Sequence, residues 1–246
     1  MKLLLINPNT TEAITGLVCA EARKVAAPTT TITAATGRFG ARYIASRAAY
    51  AVAGHAALDA YAEHGADADV IALTCFGDPA LLALKEIAHQ PVVGMAEASC
   101  RVAAADGGRF AIVTGGERWQ SMLMEFVTTL GLADRLAVVA TVAPTGADIA
   151  RDPDRALALL AEACTAAVRQ HGADRVILGG AGLAGIAPRI ADRVPVPLID
   201  SLVACVGMAE ALAAAPPPKP STGDLAATPP VESVGLSGPL ARLMAG

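Results

Sequence analysis

The tetrapeptide His-Gly-Ala-Asp stands at residues 64–67 and again at 171–174 of this 246-residue chain. Each copy follows an alanine-rich stretch with helical spacing. Each precedes a short aliphatic run, Val70-Ile-Ala-Leu73 in the first case and Val176-Ile-Leu178 in the second. A chain that repeats itself over so long a step builds one fold twice, and each copy needs its own buried apolar face. Superposing the aliphatic runs sets Cys75 on Gly180, a step of 105 (180 − 75). Other landmarks keep close to that step. Lys2–Asn7 lies over Arg109–Thr114 at 107, Pro91–Gly94 over Pro197–Asp200 at 106, and Ala35-Thr-Gly37 over Pro144-Thr-Gly146 at 109.

Within each copy, short aliphatic runs alternate with longer segments of helical periodicity. Strands are expected near 2–7, 30–35, 69–74 and 91–95, then 109–114, 137–142, 175–179 and 196–200. Helices are expected near 11–26, 43–63, 79–88 and 97–105, then 117–131, a helix from 147–150 or beyond through 170, 183–192 and 202–214. Strands that alternate with helices form parallel sheets with right-handed crossovers. The fold class is therefore α/β: two similar flavodoxin-like α/β/α halves with four-stranded parallel sheets. The expected division is 1–100 for the first half, 101–214 for the second and 215–246 for a proline-rich tail. Proline at the density of Ala215-Pro-Pro-Pro-Lys-Pro220 cannot continue a helix. The apolar end, Gly235–Met244, reads as one or two helical turns, and segment 202–246 as chain that packs back on the first half.

Composition narrows the function. Apolar residues make up 54% of the chain but aromatics only 3%, so the core is aliphatic and large enough to need no staples. A net charge of −4 gives no footprint for nucleic acid. The opening apolar run stops at Asn7-Pro8 with no cleavage site after it, and no segment reaches the length of a membrane span. A cytoplasmic protein that acts on a small molecule as a homo-oligomer is the expectation. The five cysteines are widely spaced with no Cys-x-x-Cys pair, so neither a disulfide framework nor a zinc site is expected. Cys19, Cys100, Cys164 and Cys205 sit inside helical patterns and read as small buried hydrophobes. Cys75 differs, because it stands where an apolar run ends.

In open parallel sheets, ligands bind at the carboxyl ends of the strands. After the first strand come Asn7, Pro8, Asn9 and Thr10, with Glu12 placed to cap the next helix. After the third come Thr74, Cys75, Phe76, Gly77 and Asp78-Pro79, which reads as an N-cap followed by the first helical residue. The matching places in the second half offer Thr114, Gly115 and Gly116, then Gly179, Gly180, Ala181 and Gly182. Small side chains, hydroxyls and bare N–H groups make an anion-binding surface suited to a carboxylate or an enolate. Each loop taken alone is also ordinary turn chemistry. Just before a helix N-terminus, Cys75 is expected to have a lowered pKa and to serve as a general base. His55, His64, His89 and His171 fall in helices or at their ends and read as surface or capping residues.

Asn7-Pro-Asn-Thr10, Thr74-Cys-Phe-Gly-Asp-Pro79, Gly94-Met-Ala-Glu-Ala98 and Leu178-Gly-Gly-Ala-Gly-Leu183 together resemble the Asp/Glu/hydantoin racemase superfamily, with the hydantoin and allantoin racemases most alike. The likeness runs from residue 1 to about 214, and more loosely through Pro218-Lys-Pro-Ser-Thr-Gly223. It implies an active site in the cleft between the two halves, where two cysteines, one from each half, take and return the proton at a stereocentre without metal or organic cofactor. Cys75 matches the first. The second would stand at Gly180, where the family pattern reads Leu-Gly-Cys-Ala-Gly, and a glycine has no side chain to carry a proton. Asn7, Thr74, Phe76, Thr114, Gly115, Gly116, Gly179 and Ala181 would then hold the substrate, with Asp78 and Glu97 in support.

Three functions follow as expectations. The first is racemase-type proton abstraction at carbon α of a hydantoin- or amino-acid-like substrate. The second is a single-cysteine decarboxylation of malonate-type acids. The third is a small-molecule binding homologue with impaired catalysis. The literal Gly180-x-Gly182-x-x-Gly185 fingerprint, with Asp200 twenty residues beyond Gly180, also admits a dinucleotide turn. Too little chain follows it to complete such a fold, and its duplicated partner at Thr74–Gly77 carries no fingerprint.

Overall fold

The computed structural model describes residues 1–142, 152–227 and 229–245. The chain divides into two compact units, Met1–Gly94 with Val206–Gly246, and Met95–Cys205. The first unit contains β1 (Lys2–Asn7), α1 (Glu12–Val25), β2 (Thr31–Thr36), α2 (Arg47–His64), β3 (Val70–Leu73), α3 (Leu81–Ile87) and β4 (Val92–Gly94). The second contains α4 (Met95–Ala104), β5 (Phe110–Gly115), α5 (Trp119–Thr129), β6 (Leu136–Val142), α6 (Pro153–His171), β7 (Arg175–Gly179), α7 (Ala187–Ile190) and β8 (Leu198–Asp200). The division falls inside α8 (Ser201–Ala214), and α9 (Gly238–Ala245) belongs to the first unit. The expected Pro144-Thr-Gly146 match and the stretch 147–150 lie outside the described residues.

Both sheets are four-stranded and parallel, ordered β2-β1-β3-β4 and β6-β5-β7-β8. The central strands are apolar on both faces, as parallel strands covered by helices must be. Leu3 to Ile6 and Val70 to Leu73 are buried without interruption, as are Phe110 to Val113 and Val176 to Leu178. On the edge strand β2 only Ile32 and Ala35 are buried. In the second unit the β5–β7 strands pack on Leu157, Leu160, Ala161 and Cys164 of α6. Burial pushes the Cys164 thiol up to about 12, in keeping with a core residue.

The pairing register reproduces the sequence repeat. Ile6 pairs with Leu73 and Leu73 with Gly94; Val113 pairs with Leu178 and Leu178 with Asp200. Steps of 107, 105 and 106 between these residues follow (113 − 6, 178 − 73, 200 − 94). Cys75 and Gly180 are therefore topological equivalents. At the outer edge, Asn7 pairs with Thr36 and Thr114 with Thr141, so these two threonines hold corresponding register positions. The tetrapeptide copies diverge at their last residue. His64 and His171 end α2 and α6, and Gly65 and Gly172 follow as C-caps. The acid that then anchors the sheet is Asp69 in one unit and Asp174 in the other. Asp69 Oδ2 accepts from Lys2 N (2.6 Å) and Asp174 Oδ2 from Arg109 N (2.7 Å), and each acid's own N–H donates back to the same residue's carbonyl.

Caps set several helix ends. Ser46 Oγ accepts from Ala49 N at the start of α2, and Asp152 Oδ1 from Arg155 N at the start of α6. The expected Glu12 cap does not form. Asn9 Oδ1 instead accepts from Thr11 N at 2.8 Å, an Asx turn into α1. The expected helix 183–192 is broken into a 3₁₀ turn (Ala181–Leu183), the single turn of α7 and a second 3₁₀ turn (Ala191–Arg193).

The proline-rich segment has no helix or strand between Ala214 and Gly238 among its described residues, yet it is tied to the first unit. Lys219 Nζ donates to the carbonyls of Lys85, Glu86 and Ala88 at the C-terminal end of α3, where partial negative charge gathers. Helix α9 packs on α2. Ser237 bonds the buried Asp59 of α2, whose carboxylate also accepts two 2.8 Å bonds from the Arg38 guanidinium. Burial works against that carboxylate's charge, but the bonds from Ser237 and Arg38 prevail and hold it below the usual range.

Candidate active site

In the first unit the carboxyl ends of β1, β3 and β4 lie side by side. Asn7 is buried, and its amide is engaged within the protein. Nδ2 donates to Asn9 Oδ1 (3.0 Å), Thr15 Oγ1 (2.9 Å) and Thr11 O (3.4 Å), while Oδ1 accepts from Asn9 N. Gly37 closes this loop. Its N–H donates to Asn7 O and Asn9 O, and a Cβ there would stand 2.7 Å from Pro8 O, so no larger residue fits. Thr74 is buried at the end of β3, and both its N–H (2.8 Å) and its hydroxyl (3.0 Å) donate to Ile6 O.

Cys75 follows Thr74 as the chain leaves the sheet. Among the five cysteines it alone lies outside a helix: Cys19, Cys100, Cys164 and Cys205 fall in α1, α4, α6 and α8. The next residues turn sharply. Asp78 N donates to Cys75 O (2.9 Å) and Leu81 N to Asp78 O (3.1 Å). Gly77 (φ 114°), Asp78 (φ 52°) and Ala80 (φ 64°) all hold left-handed backbone. Two of these carry a Cβ, which costs free energy that neighbouring contacts must offset. Phe76 and Asp78 are buried. The Asp78 carboxylate lies against Gly94 of β4, in the volume that a Cβ at residue 94 would claim.

This geometry corrects the expected helix start. Asp78-Pro79 is not a cap and first turn, because α3 begins at Leu81 after the left-handed Ala80, which makes no side-chain cap bond. Cys75 is thereby six residues short of the helix (81 − 75) and gains little from its N–H groups. Burial pushes the thiol up, and the Asp78 charge pushes it further, which favours the protonated thiol. That reverses the lowered pKa expected from a helix N-terminus.

The second unit presents its own row of carboxyl ends. Thr114 is buried at the end of β5, and Gly115 and Gly116 (φ 87°) lead towards α5. Thr114 pairs with Gly179 at the end of β7, and Gly180 (φ 140°) and Ala181 follow. A Cβ built on Gly180 meets nothing nearer than Leu183 Cγ at 3.8 Å and Thr114 Oγ1 at 4.0 Å. Room for a side chain exists, but the backbone favours glycine. Asp200 answers the ribose-acid reading. Its Oδ1 accepts from Leu202 N (2.9 Å) and Val203 N (3.3 Å), and its Oδ2 from Gly185 N (2.8 Å). It caps α8 and ties down the loop after β7. Glu97 is buried on the first turn of α4 and bonds Arg101 at 3.2 Å. Among the described residues, no group of three or more His, Cys, Asp or Glu is disposed to hold a metal. No helix among them is long and apolar enough to cross a membrane.

The site reading from sequence passed over Tyr43 and Tyr50, which lie near Cys75 in the first unit. Burial and the Cys75 charge push the Tyr43 phenol up; burial, Asp78 and Cys75 do the same for Tyr50. The signal available was composition: the chain has only three tyrosines, and all fall within residues 43–61.

The model of the family described as Asp/Glu/Hydantoin racemase matches residues 3–209. A hydantoin racemase of Paenarthrobacter aurescens is 36% identical over 218 residues, which cover 87% of this chain and 92% of the relative. Two solved structures share the fold. The allantoin racemase of Pseudomonas fluorescens superposes with a TM-score of 0.91 at 28% identity, covering 96% of this chain and 100% of its own. The allantoin racemase of Klebsiella pneumoniae gives 0.88 at 32% identity, covering 99% and 98%.

Proposed function

The chain belongs to the Asp/Glu/hydantoin racemase family and is an isomerase of the racemase type, and from that premise we propose that it moves the proton at carbon α of a hydantoin-like small molecule with Cys75 as acid and base. The observation that carries this reading is the position of Cys75, the one cysteine outside a helix, at the carboxyl end of β3. In the proposed step the Cys75 thiolate takes the Cα proton. The C–H bond breaks, an S–H bond forms, and the electron pair moves onto the adjacent carbonyl oxygen as an enolate. Protonation from the opposite face gives the inverted centre. With glycine at position 180 that proton comes from water, and the thiol returns its own proton to solvent.

The raised thiol pKa supports a base that is scarce but strong, matched to a weakly acidic C–H. Gly115, Gly116 and Ala181 belong to the proposed substrate-holding set, as the family resemblance implies. Thr74, Thr114 and Gly179 complete the proposed binding set. Asn7 belongs to it by shaping the first loop, Phe76 by apolar contact, and Asp78 and Glu97 by support. Cytoplasmic placement and assembly as a homo-oligomer are part of the same reading. Malonate-type decarboxylation is not favoured, because the relatives at 36% and 32% identity are named racemases.

The test is incubation with 5-substituted hydantoins and allantoin in deuterium oxide, followed by proton NMR and polarimetry. Deuterium enters at the stereocentre with the wild-type protein, and Cys75→Ala lowers that rate about 1,000-fold. Undiminished exchange in Cys75→Ala would remove the thiol from the reaction.

A further inference from the structure

Helix α2 carries Tyr50 and Gly54 one turn apart, so both face the same way. That face is pressed against the turn that follows Cys75. The Tyr50 hydroxyl donates to Gly77 O at 2.7 Å, with Asp78 O at 3.4 Å from the same oxygen. Four residues on, α2 comes so close to the turn that a Cβ on Gly54 would lie 3.3 Å from Ala80 Cβ and 3.6 Å from Ala80 N. Gly77, Asp78 and Ala80, the residues met by this face, are the same three that hold left-handed backbone. Backbone in that region persists only where its surroundings over-determine it. A further restraint in this unit is the Asp78 carboxylate seated over Gly94. An ionised phenol could not donate to a carbonyl, and the environment keeps Tyr50 protonated throughout the neutral range.

We infer that Tyr50 is a positioning residue for the reaction: its hydroxyl, acting with the glycine-thinned face of α2, fixes the strained turn that aims the Cys75 sulfur. The inference rests on the proposed role of Cys75 and is separable from it. Tyr50 makes its bond to backbone, so its loss alters where the sulfur lies and how well it is shielded, and leaves the chemistry of the substrate-holding groups in place. A residue that only contributed to folding would change thermal stability and leave the thiol's reactivity in the folded protein as it was.

The experiment uses the full chain and two readouts. Alkylation of Cys75 by iodoacetamide is followed by mass spectrometry from pH 7 to 9, and kcat and KM are measured on a hydantoin that the wild type turns over. In Tyr50→Phe we expect alkylation about fivefold faster, an alkylation profile displaced to lower pH as water reaches the sulfur, and kcat about tenfold lower with KM within about threefold. Gly54→Ala presses the same turn without touching the hydroxyl, and lowers kcat about threefold, again with KM kept. Alkylation and kcat both within twofold of wild type in Tyr50→Phe overturn the inference, as does faster alkylation without loss of kcat. Activity that survives Cys75→Ala defeats the proposed chemistry, while the alkylation readout on Tyr50→Phe still reports whether the hydroxyl positions the thiol.

Discussion

The turn after β3 and the turn after β7 leave their sheets at equivalent register positions and are then held by different means. In the first unit two non-glycine residues, Asp78 and Ala80, take left-handed backbone, and restraint comes from the side, through α2 and the Asp78 carboxylate. In the second unit Gly180 takes the unusual φ, the chain drops at once into a 3₁₀ turn, and restraint comes from the next strand through Asp200 and Gly185 N. Duplication fixed the frame, while each copy acquired its own lock. Strain in the first turn is borne by residues with side chains and needs many contacts. In the second it is assigned to glycine and needs one buried acid.

Four substitutions or conditions probe this contrast. Gly94→Ala should be the most damaging, because its methyl group overlaps the Asp78 carboxylate; a loss of about 3 kcal/mol in denaturant titration is expected, with Cys75 exposed to alkylation. Asp200→Ala frees three N–H groups in the second unit and should cost about 2 kcal/mol, without change in the alkylation of Cys75. If that variant opens the first turn as well, the locks are not independent. Gly180→Cys has room for its Cβ but inherits φ 140°, so a stability cost of about 1 kcal/mol is expected. The same variant should invert more substrate per exchanged proton in the deuterium experiment. The smallest effect is on alkaline stability. An unfolded thiol ionises near pH 8.5, whereas buried Cys75 keeps its proton to higher pH, so the unfolded chain releases protons first and stability declines as pH rises past that point. Cys75→Ser should flatten that decline, and equal slopes in the two proteins would contradict the raised thiol pKa.

Much of the frame was legible in the sequence. Unbroken aliphatic runs announced strands buried on both faces, and the steps between them announced the duplication, because burial writes itself into residue type. The turns were harder to read. Asp78-Pro79 carries a strong helix-start signature, yet the backbone passes through αL at Asp78 and again at Ala80, and only tertiary contacts permit that. The thiol pKa went astray for the same reason: once α3 began later, burial outweighed any helix dipole. Tyr50 lies 25 residues before Cys75 (75 − 50) in an alanine-rich helix with no motif around it, so its bond to Gly77 O is a product of folding alone. Asp200 stood at the right spacing for a ribose acid, and equally at the right place for a cap. Composition could not separate those two roles, and three hydrogen bonds do.

The first unit is built from two stretches of chain, Met1–Gly94 and Val206–Gly246, that flank the second unit in sequence. A ribosome that has released Met1–Cys205 has supplied every residue of the second unit. The first unit still lacks α9, the Ser237 bond to Asp59 and the Lys219 cap on α3. The unit that carries Cys75 is therefore completed after the other, and a chain stopped before Lys219 lacks these braces on α2 and α3. Translation thus supplies the two units in turn, and the unit begun first is closed second.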